Sequence, residues 1–409
     1  MSSFLDTDAL IVGGGLAGAA AALALAEAGF DITLLDASGA TLDDAADFDG
    51  RAYAVALASQ RFWSAVGVWD RVADQAEPMV DVLVSDGRVG EGASPMFLHL
   101  DHRELDDGVY GYMIEDRYLR PAALAAMADH PRITTRTGRA TSVDYGVGRA
   151  TATLDDGTEI NSSVVIACDG RDSPLGAAAG IRRLSRAYPQ NGLVCAVGHE
   201  KPHHGVAHEL FLPAGPFAIL PLRGNRSSLV WTETREEAAR IHALPDDAYL
   251  KELEVRFGDF LGAITLEGRR WTYPLHLSLA HEYAAPRLAL LGDAAHAVHP
   301  IAGQGLNLGV RDAAALAEVL SEAAARGEDI GAIDVLTRYQ TWRRFDSASF
   351  ALGMDALNIL FSNDNGPLRL IRDLGMAAVN KAPKLKKTFM RMASGVAGET
   401  PKLMRGQRL

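Results

Sequence analysis

Cysteine is almost missing from this sequence: Cys168 and Cys195 are the only two in 409 residues. A disulfide framework is thereby excluded, and a reducing, cytoplasmic setting is expected. No cluster of Cys and His has metal-ligand spacing, so no metal is expected. No apolar run reaches the roughly 18 to 20 residues that a membrane span needs without meeting a charge or a glycine-rich break. The N-terminus, MSSFLDTDALIVGGG, lacks the cationic stretch that opens a signal peptide. Positive charge is in deficit, with a net charge of −12, which disfavours nucleic acid as a partner. That deficit is uneven. Residues 367–409 hold ten Lys/Arg against two acids, leaving −20 on the rest of the chain.

What is present is glycine in particular places. Hydrophobic residues make up 48% and charged residues 22%, an ordinary globular composition in a chain long enough for two domains. Residues 8–12 read as a buried strand running into Gly13-Gly14-Gly15-Leu16-Ala17-Gly18 and then an alanine-rich helix over 19–28. Gly29-Phe30 ends that helix, and residues 31–36 form a second strand closing on Asp36. This is G-x-G-x-x-G in its strand–turn–helix setting, with an acid at the end of the next strand. Gly13 permits the tight turn, Gly15 lets backbone approach a pyrophosphate, and Gly18 lets helix and strand pack closely. The helix start at Leu16 and Ala17 favours the phosphates, and Asp36 is placed to accept hydrogen bonds from a ribose. The motif alone does not separate FAD from NAD.

Further along, residues 288–291 read as a buried strand ending at Gly292-Asp293, with a Gly- and Pro-rich loop and a helix from about Leu306. A carboxylate at a strand end suits a polyol hydroxyl. The stretch Gly303-Gln304-Gly305-Leu306-Asn307 offers N–H groups at a helix start, suited to a group that turns anionic. His296 and His299 read equally well as ordinary loop histidines. Between the two glycine motifs lies Cys168-Asp169-Gly170-Arg171-Asp172-Ser173-Pro174, after a strand over 163–167 that closes a hairpin from 150–154. Taken alone, Asp169-Gly170 is only a turn signal.

In this order and spacing the three motifs resemble the flavoprotein aromatic hydroxylases whose prototype is p-hydroxybenzoate hydroxylase. His296-Ala-Val-His299-Pro300-Ile-Ala-Gly303-Gln304-Gly305-Leu-Asn307, with Arg311-Asp312 after it, resembles the ubiquinone-biosynthesis hydroxylases of the UbiH/UbiF/VisC type. The resemblance covers essentially the whole chain. It implies FAD, held by Gly13, Gly15, Leu16, Ala17, Gly18 and Asp36 at its ADP half, with Arg51 near flavin and ribose. Asp169 and Gly170 match the middle motif, Gly292 and Asp293 the ribityl contact, and Pro300 with Gly303 to Asn307 the loop along the isoalloxazine ring. Catalytic roles fall by resemblance on His299, Pro300, Gln304 and Gly305. His299 is the first candidate for a proton path because an ordinary imidazole titrates near neutrality. In that family reduced flavin captures oxygen as a C4a-hydroperoxide, and a phenol-type ring attacks its distal oxygen. One departure stands out: Gly176 stands where the family has an arginine, three residues after the serine of the middle motif.

The implied architecture is α/β, a Rossmann-like FAD-binding domain interleaved with a mixed-sheet substrate domain, plus a helical tail. FAD-binding parts are expected at 1–77, 116–180 and 281–365, substrate parts at 78–115 and 181–280, and a basic tail at 366–409. Short strands are expected over 192–198, 208–212, 217–222 and 227–233, and Pro121 near a helix start. The implied substrate is a polyprenylated phenol or quinone precursor, with molecular oxygen and electrons from NAD(P)H or a protein reductant. A small soluble phenol, or a prenyl-chain reductase on the same scaffold, is the alternative. Leu385, Phe389, Met392 and Val396 recur at helical spacing, with Lys384, Lys386, Lys387 and Arg391 largely off that stripe. Such a tail suits peripheral contact with an inner-membrane surface, where deleting 382–409 leaves the melting temperature nearly unchanged. Docking on the enzyme body or pairing two subunits in a homo-oligomer fits the same stripe, and the resemblance separately implies a Ubi-type biosynthetic complex as a partner.

Overall fold

A computed structural model describes residues 4–39, 48–105, 108–299 and 301–409. The strand Phe4–Val12 lies inside an eight-stranded sheet, parallel to Ile32–Asp36 on one side and Glu159–Ala167 on the other. Ile133–Thr137 and Leu288–Leu290 extend it, again in parallel. Strands buried on both faces read as nearly continuous apolar runs, which is how Ala-Leu-Ile-Val at 9–12 and Val-Val-Ile-Ala at 164–167 read. The helix Leu16–Glu27 is built from Ala, Leu and Gly almost throughout and is buried over Gly18 to Ala26. Its small side chains let it pack flat between the sheet and the helix Gly305–Ala325. Gly29, at φ +95°, takes the left-handed turn that ends it.

The second sheet, also of eight strands, runs His296–Ala297, Ile264–Ala280, Arg183–His199, Arg226–Thr234, Gly215–Leu222, Val206–Leu212, Asp81–Arg88 and Gly92–Asp101. All its pairings are antiparallel except Val206–Leu212 with Asp81–Arg88. One face packs on the helices Arg235–His242 and Asp246–Phe257 through Trp231, Tyr249, Leu253 and Phe257. A three-stranded sheet of Ala52–Ala56, Gly111–Glu115 and Glu77–Met79 stands apart from the two larger ones.

The expected short strands all exist, each longer than the sequence signals; the first runs from Arg183 to His199. Pro121 sits inside the helix Asp116–Asp129, not at its start, because the first turn is already supplied by Asp116 to Leu119. The larger correction concerns the tail. The 29-residue helix Ile333–Phe361 begins in the nucleotide core at Val335, Leu336 and Tyr339 and ends near the second sheet, where Phe361 stacks on Phe211 at 4.2 Å between centroids. Gly366–Asn380 and Pro383–Ala393 follow, and Val396 lies beyond the last of these. Lys386, expected off the docked face, is buried beside Met390 and pairs with Glu104 at 2.5 Å. Leu403 and Met404 enter the main core, and Arg311 donates to the carbonyls of Ala397 and Glu399. Deleting 382–409 would therefore open the core, and the expectation of an unchanged melting temperature is withdrawn.

Candidate active site

Three stretches far apart in sequence meet at van der Waals distance around the start of the helix Leu16–Glu27. A Cβ placed on Gly13 would stand 2.1 Å from the carbonyl oxygen of Cys168, and one on Gly18 would stand 1.9 Å from that of Gly13. Ala17 fits against Gly292, where a Cβ would come within 3.1 Å, and against Gly309 at 3.4 Å. The first, middle and last motifs are thus one assembly. Asp36 Oδ2 accepts the Gly14 N–H at 2.6 Å, and Oδ1 accepts from Ser38. Burial pushes that carboxyl up, but the bonds from Ser38 and Gly14 outweigh it and hold Asp36 below the usual carboxylate range.

The site has room where a flat anionic group would lie. The helix Leu16–Glu27 starts at Gly15 with no side-chain cap, and Gly305–Ala325 starts without one at Gln304. A Cβ built on Gly15, Gly170 or Gly305 meets nothing within 4 Å. Uncapped N–H groups with open space before them suit phosphates at the first helix and negative charge at the second. Asp169 Oδ2 accepts the Leu175 N–H at 2.9 Å, while its Oδ1 is buried without a partner. Gly176, at the departure from the family pattern, donates its N–H to the capping Ser173 hydroxyl oxygen at 3.1 Å, and a Cβ there would stand 3.0 Å from that oxygen. Asp293 stands exposed at its strand end, at the rim of a cavity of about 990 Å³ that Arg51, Arg171, Gly303, Gln304, Gly305 and Leu306 also line.

Several other candidates also tie elements of the fold together. Asn307 is buried; its amide donates to Ala54 O at 2.8 Å and its oxygen accepts the Ala56 N–H at 2.9 Å, tying the loop to the strand Ala52–Ala56. Arg51 pairs with Asp49 at 2.7 Å and Asp116 at 3.2 Å and lies over the Trp271 ring. Gln304 reaches Ala393 O at 3.5 Å. His299 packs edge-on against Tyr188, and neither ring nitrogen has a partner. Burial pulls its pKa down to about 4, which removes the near-neutral titration that recommended it. Pro300 lies outside the described residues. His296 gives its Nε2 to Asp312 at 2.6 Å, a carboxylate that also accepts the Gly292 N–H at 3.1 Å and Arg343 Nε at 2.8 Å. The sequence offered no role for Asp312 or Arg343, since a buried ion pair leaves no periodic signal. Asp81, His99 and Asp101 come within 4.8 Å of one another, but His102 and Arg103 already engage the two carboxylates.

A family model described as an FAD binding domain matches residues 6–345. The chain is 45% identical to Ubiquinone hydroxylase UbiL of Rhodospirillum rubrum over 98% of its own length and 92% of that protein. This chain belongs to the FAD-dependent ubiquinone-biosynthesis hydroxylases. It is also 35% identical to the 3-demethoxyubiquinol 3-hydroxylase of Escherichia coli strain K12, over 95% of this chain and 99% of that one. The fold is shared with p-nitrophenol 4-monooxygenase PnpA from Pseudomonas putida DLL-E4, at a TM-score of 0.78 and 20% identity over 97% of this chain and 100% of that one. The hydroxylase is thus an FAD-dependent monooxygenase, and the open glycine cradles and uncapped helix starts described above fit that cofactor.

Proposed function

We propose that the hydroxylase adds oxygen to the ring of a polyprenylated phenol in ubiquinone biosynthesis. One observation carries this reading: the cavity of about 990 Å³ begins at Asp293 and Gly303 to Leu306 and ends among apolar residues of the C-terminal helices. That volume is at the top of the roughly 300–1,000 Å³ range of small-molecule pockets, more than a soluble phenol fills. Its walls past the flavin loop are Val82, Val84, Leu98, Leu100, Met354 and Val379, a lining for an isoprenoid chain. Leu360, Ile371, Phe389 and Met392 both line it and are exposed, so the mouth is apolar on the outside too. Lys381, Lys384 and Arg391 stand exposed nearby in sequence. On this reading the mouth lies against an anionic membrane surface, where the substrate is taken up. No described helix is long and apolar enough to cross a membrane.

Within this reading the residues divide the work. Gly13, Gly15, Leu16, Ala17 and Gly18 hold the pyrophosphate of FAD, Asp36 its ribose, and Gly292-Asp293 its polyol. Gly303 to Asn307 run along the ring edge, Arg51 lies near flavin and ribose, Asp169 and Gly170 form the middle motif shared by FAD and reductant, and the domain limits are those given above. Bound FAD, reduced by NAD(P)H or a protein donor, supplies the oxygen activation. The chain's own contribution is to offer the uncapped N–H groups of Gly305–Ala325 to negative charge and to exclude water by an apolar wall. His299, neutral at physiological pH, passes a proton only by accepting and donating in one step.

The experiment is oxygen uptake by the holoenzyme with a 2-polyprenylphenol in anionic vesicles, product read by mass spectrometry. One added oxygen atom per turnover is expected. Saturation of the side chain without hydroxylation would instead identify a prenyl-chain reductase, and turnover only of short soluble phenols would refute the isoprenoid reading. Charging the mouth by Phe389→Glu with Ile371→Glu is expected to lower vesicle binding at least several-fold while FAD content holds.

A further inference from the structure

In the strand Val206–Leu212, side chains alternate between the two faces of the sheet. Leu210 and Leu212 join the core behind the sheet, whereas Ala207, Glu209 and Phe211, together with His208, line the cavity. Glu209 stands in register with Ala218 on one neighbour and Val84 on the other, and Val230 and Val194 continue that row. The acids lining the cavity among the described residues are Glu209 and, by the flavin loop, Asp293, and in this row of small and branched apolar side chains Glu209 stands alone. Among the described residues no hydrogen bond or ion pair reaches its carboxyl, and burial alone pushes it up to about 7.

Its neighbours place it at a junction. Phe211, two residues on, stacks against Phe361 and the C-terminal helices. Ala207, two residues back, packs with Met79 and Tyr110 in a cluster that Ala54 joins, and Ala54 is the contact of Gly303 in the flavin loop. Glu209 therefore sits where the isoprenoid wall gives way to the space before the flavin. Glu209 is half-buried, and a carboxyl that faces an apolar cavity without a protein partner costs the free protein stability. Such a cost is tolerated at positions where a ligand supplies the missing partner.

Resting on the reading of the cavity as a prenylated-phenol site, we propose that Glu209 recognises the ring's free hydroxyl, accepting its O–H as a hydrogen bond and so selecting rings whose oxygen is not methylated. Glu209 is then a specificity-determining residue, with the prenyl chain leading away past Phe211.

The test compares two probes, 2-geranylphenol and its methyl ether, which differ in whether the oxygen carries a proton. Binding to the holoenzyme is read from the perturbation of flavin absorbance. The parent is expected to prefer the phenol by about tenfold or more, the worth of one hydrogen bond to a charged group. In Glu209→Leu the preference falls to within about twofold, and Glu209→Gln, whose neutral amide oxygen still accepts, keeps a part of it. The melting temperature of Glu209→Leu without ligand is expected to equal or exceed the parent's, an outcome a structural role would not give. If Glu209→Leu loses flavin, Glu209→Ala, which adds no bulk, is read by the same ratio. A phenol preference that survives both substitutions overturns the role of Glu209 and leaves the cavity reading standing. Failure of the parent to bind either probe overturns the cavity reading and the role of Glu209 with it.

Discussion

Two carboxylates in this molecule, one fully buried and one half-buried on a cavity wall, are treated in opposite ways. Asp312, fully buried on the nucleotide side, is held by His296, by Arg343 and by the Gly292 N–H. Burial pushes it up, but His296 and Arg343 outweigh that and keep it below the usual carboxylate range. Glu209, on the substrate side, has none of these and rises to about 7. On the nucleotide side the fully buried acid is paired and Gly13 and Gly18 touch backbone, while the space before Gly15, Gly170 and Gly305 is left open. The substrate side is left incomplete, with an unpaired acid and an apolar mouth. Rigidity is spent where geometry must be held within fractions of an ångström, and stability is given up where a ligand completes the surface.

The sharpest way to break this contrast is Arg343→Ala. It leaves Asp312 buried beside an uncompensated space, and a loss of about 3–5 kcal/mol in urea unfolding is expected. A loss under about 1 kcal/mol would mean that Asp312 is not held as the structure has it. Next comes Asp293→Ala, which removes the charged acceptor at the strand end. FAD affinity, titrated into apoprotein by fluorescence quenching, is expected to fall roughly 10- to 100-fold. Unchanged affinity would remove Asp293 from the polyol.

The smallest effect separates the two carboxylates by pH. A raised carboxyl pKa means that the folded chain keeps a proton the unfolded chain has lost, so stability falls as pH rises from about 4.5 through about 7. The melting temperature of Glu209→Leu should accordingly pull ahead of the parent's across that window and stay ahead above it. Asp312 acts in the reverse sense. Its contribution is present above the ordinary carboxylate pKa and is lost as pH falls through its depressed one. A gap between Glu209→Leu and parent that is flat from pH 4.5 to 8 would contradict the unpaired state of Glu209.

The nucleotide half was legible because its chemistry forces local sequence: Gly13, Gly18 and Gly292 stand where a Cβ would strike backbone or Ala17. The strands of the second sheet announced themselves by alternation, though their lengths did not, since Arg183–His199 passes through Pro189, ahead of Gly192 where the expected strand began. Asp312 and Arg343 were invisible as a pair, being 31 residues apart on two helices. Glu209 did leave a signal, an acid inside His-Glu-Leu-Phe-Leu, that alternation alone reads as the solvent side of a strand. Only the C-terminal helices turn that side into a cavity wall. The basic tail misled for a related reason. A stripe at helical spacing identifies an apolar face, and Leu385, Phe389 and Met392 are one, but it is Lys386 and Met390 that face the body.

Ala17 against Gly292 and Gly309 has a consequence for the order in which this protein can be made. The chain emerges from the ribosome with its phosphate loop first, yet the wall behind that loop is nearly 300 residues later, and Met404 closes the core later still. Contacts this distant form late, after the cost of closing so long a loop. A chain cut before Gly292 holds a nucleotide motif with no back to it, so flavin loading waits on the segment from Gly292 to Gly309.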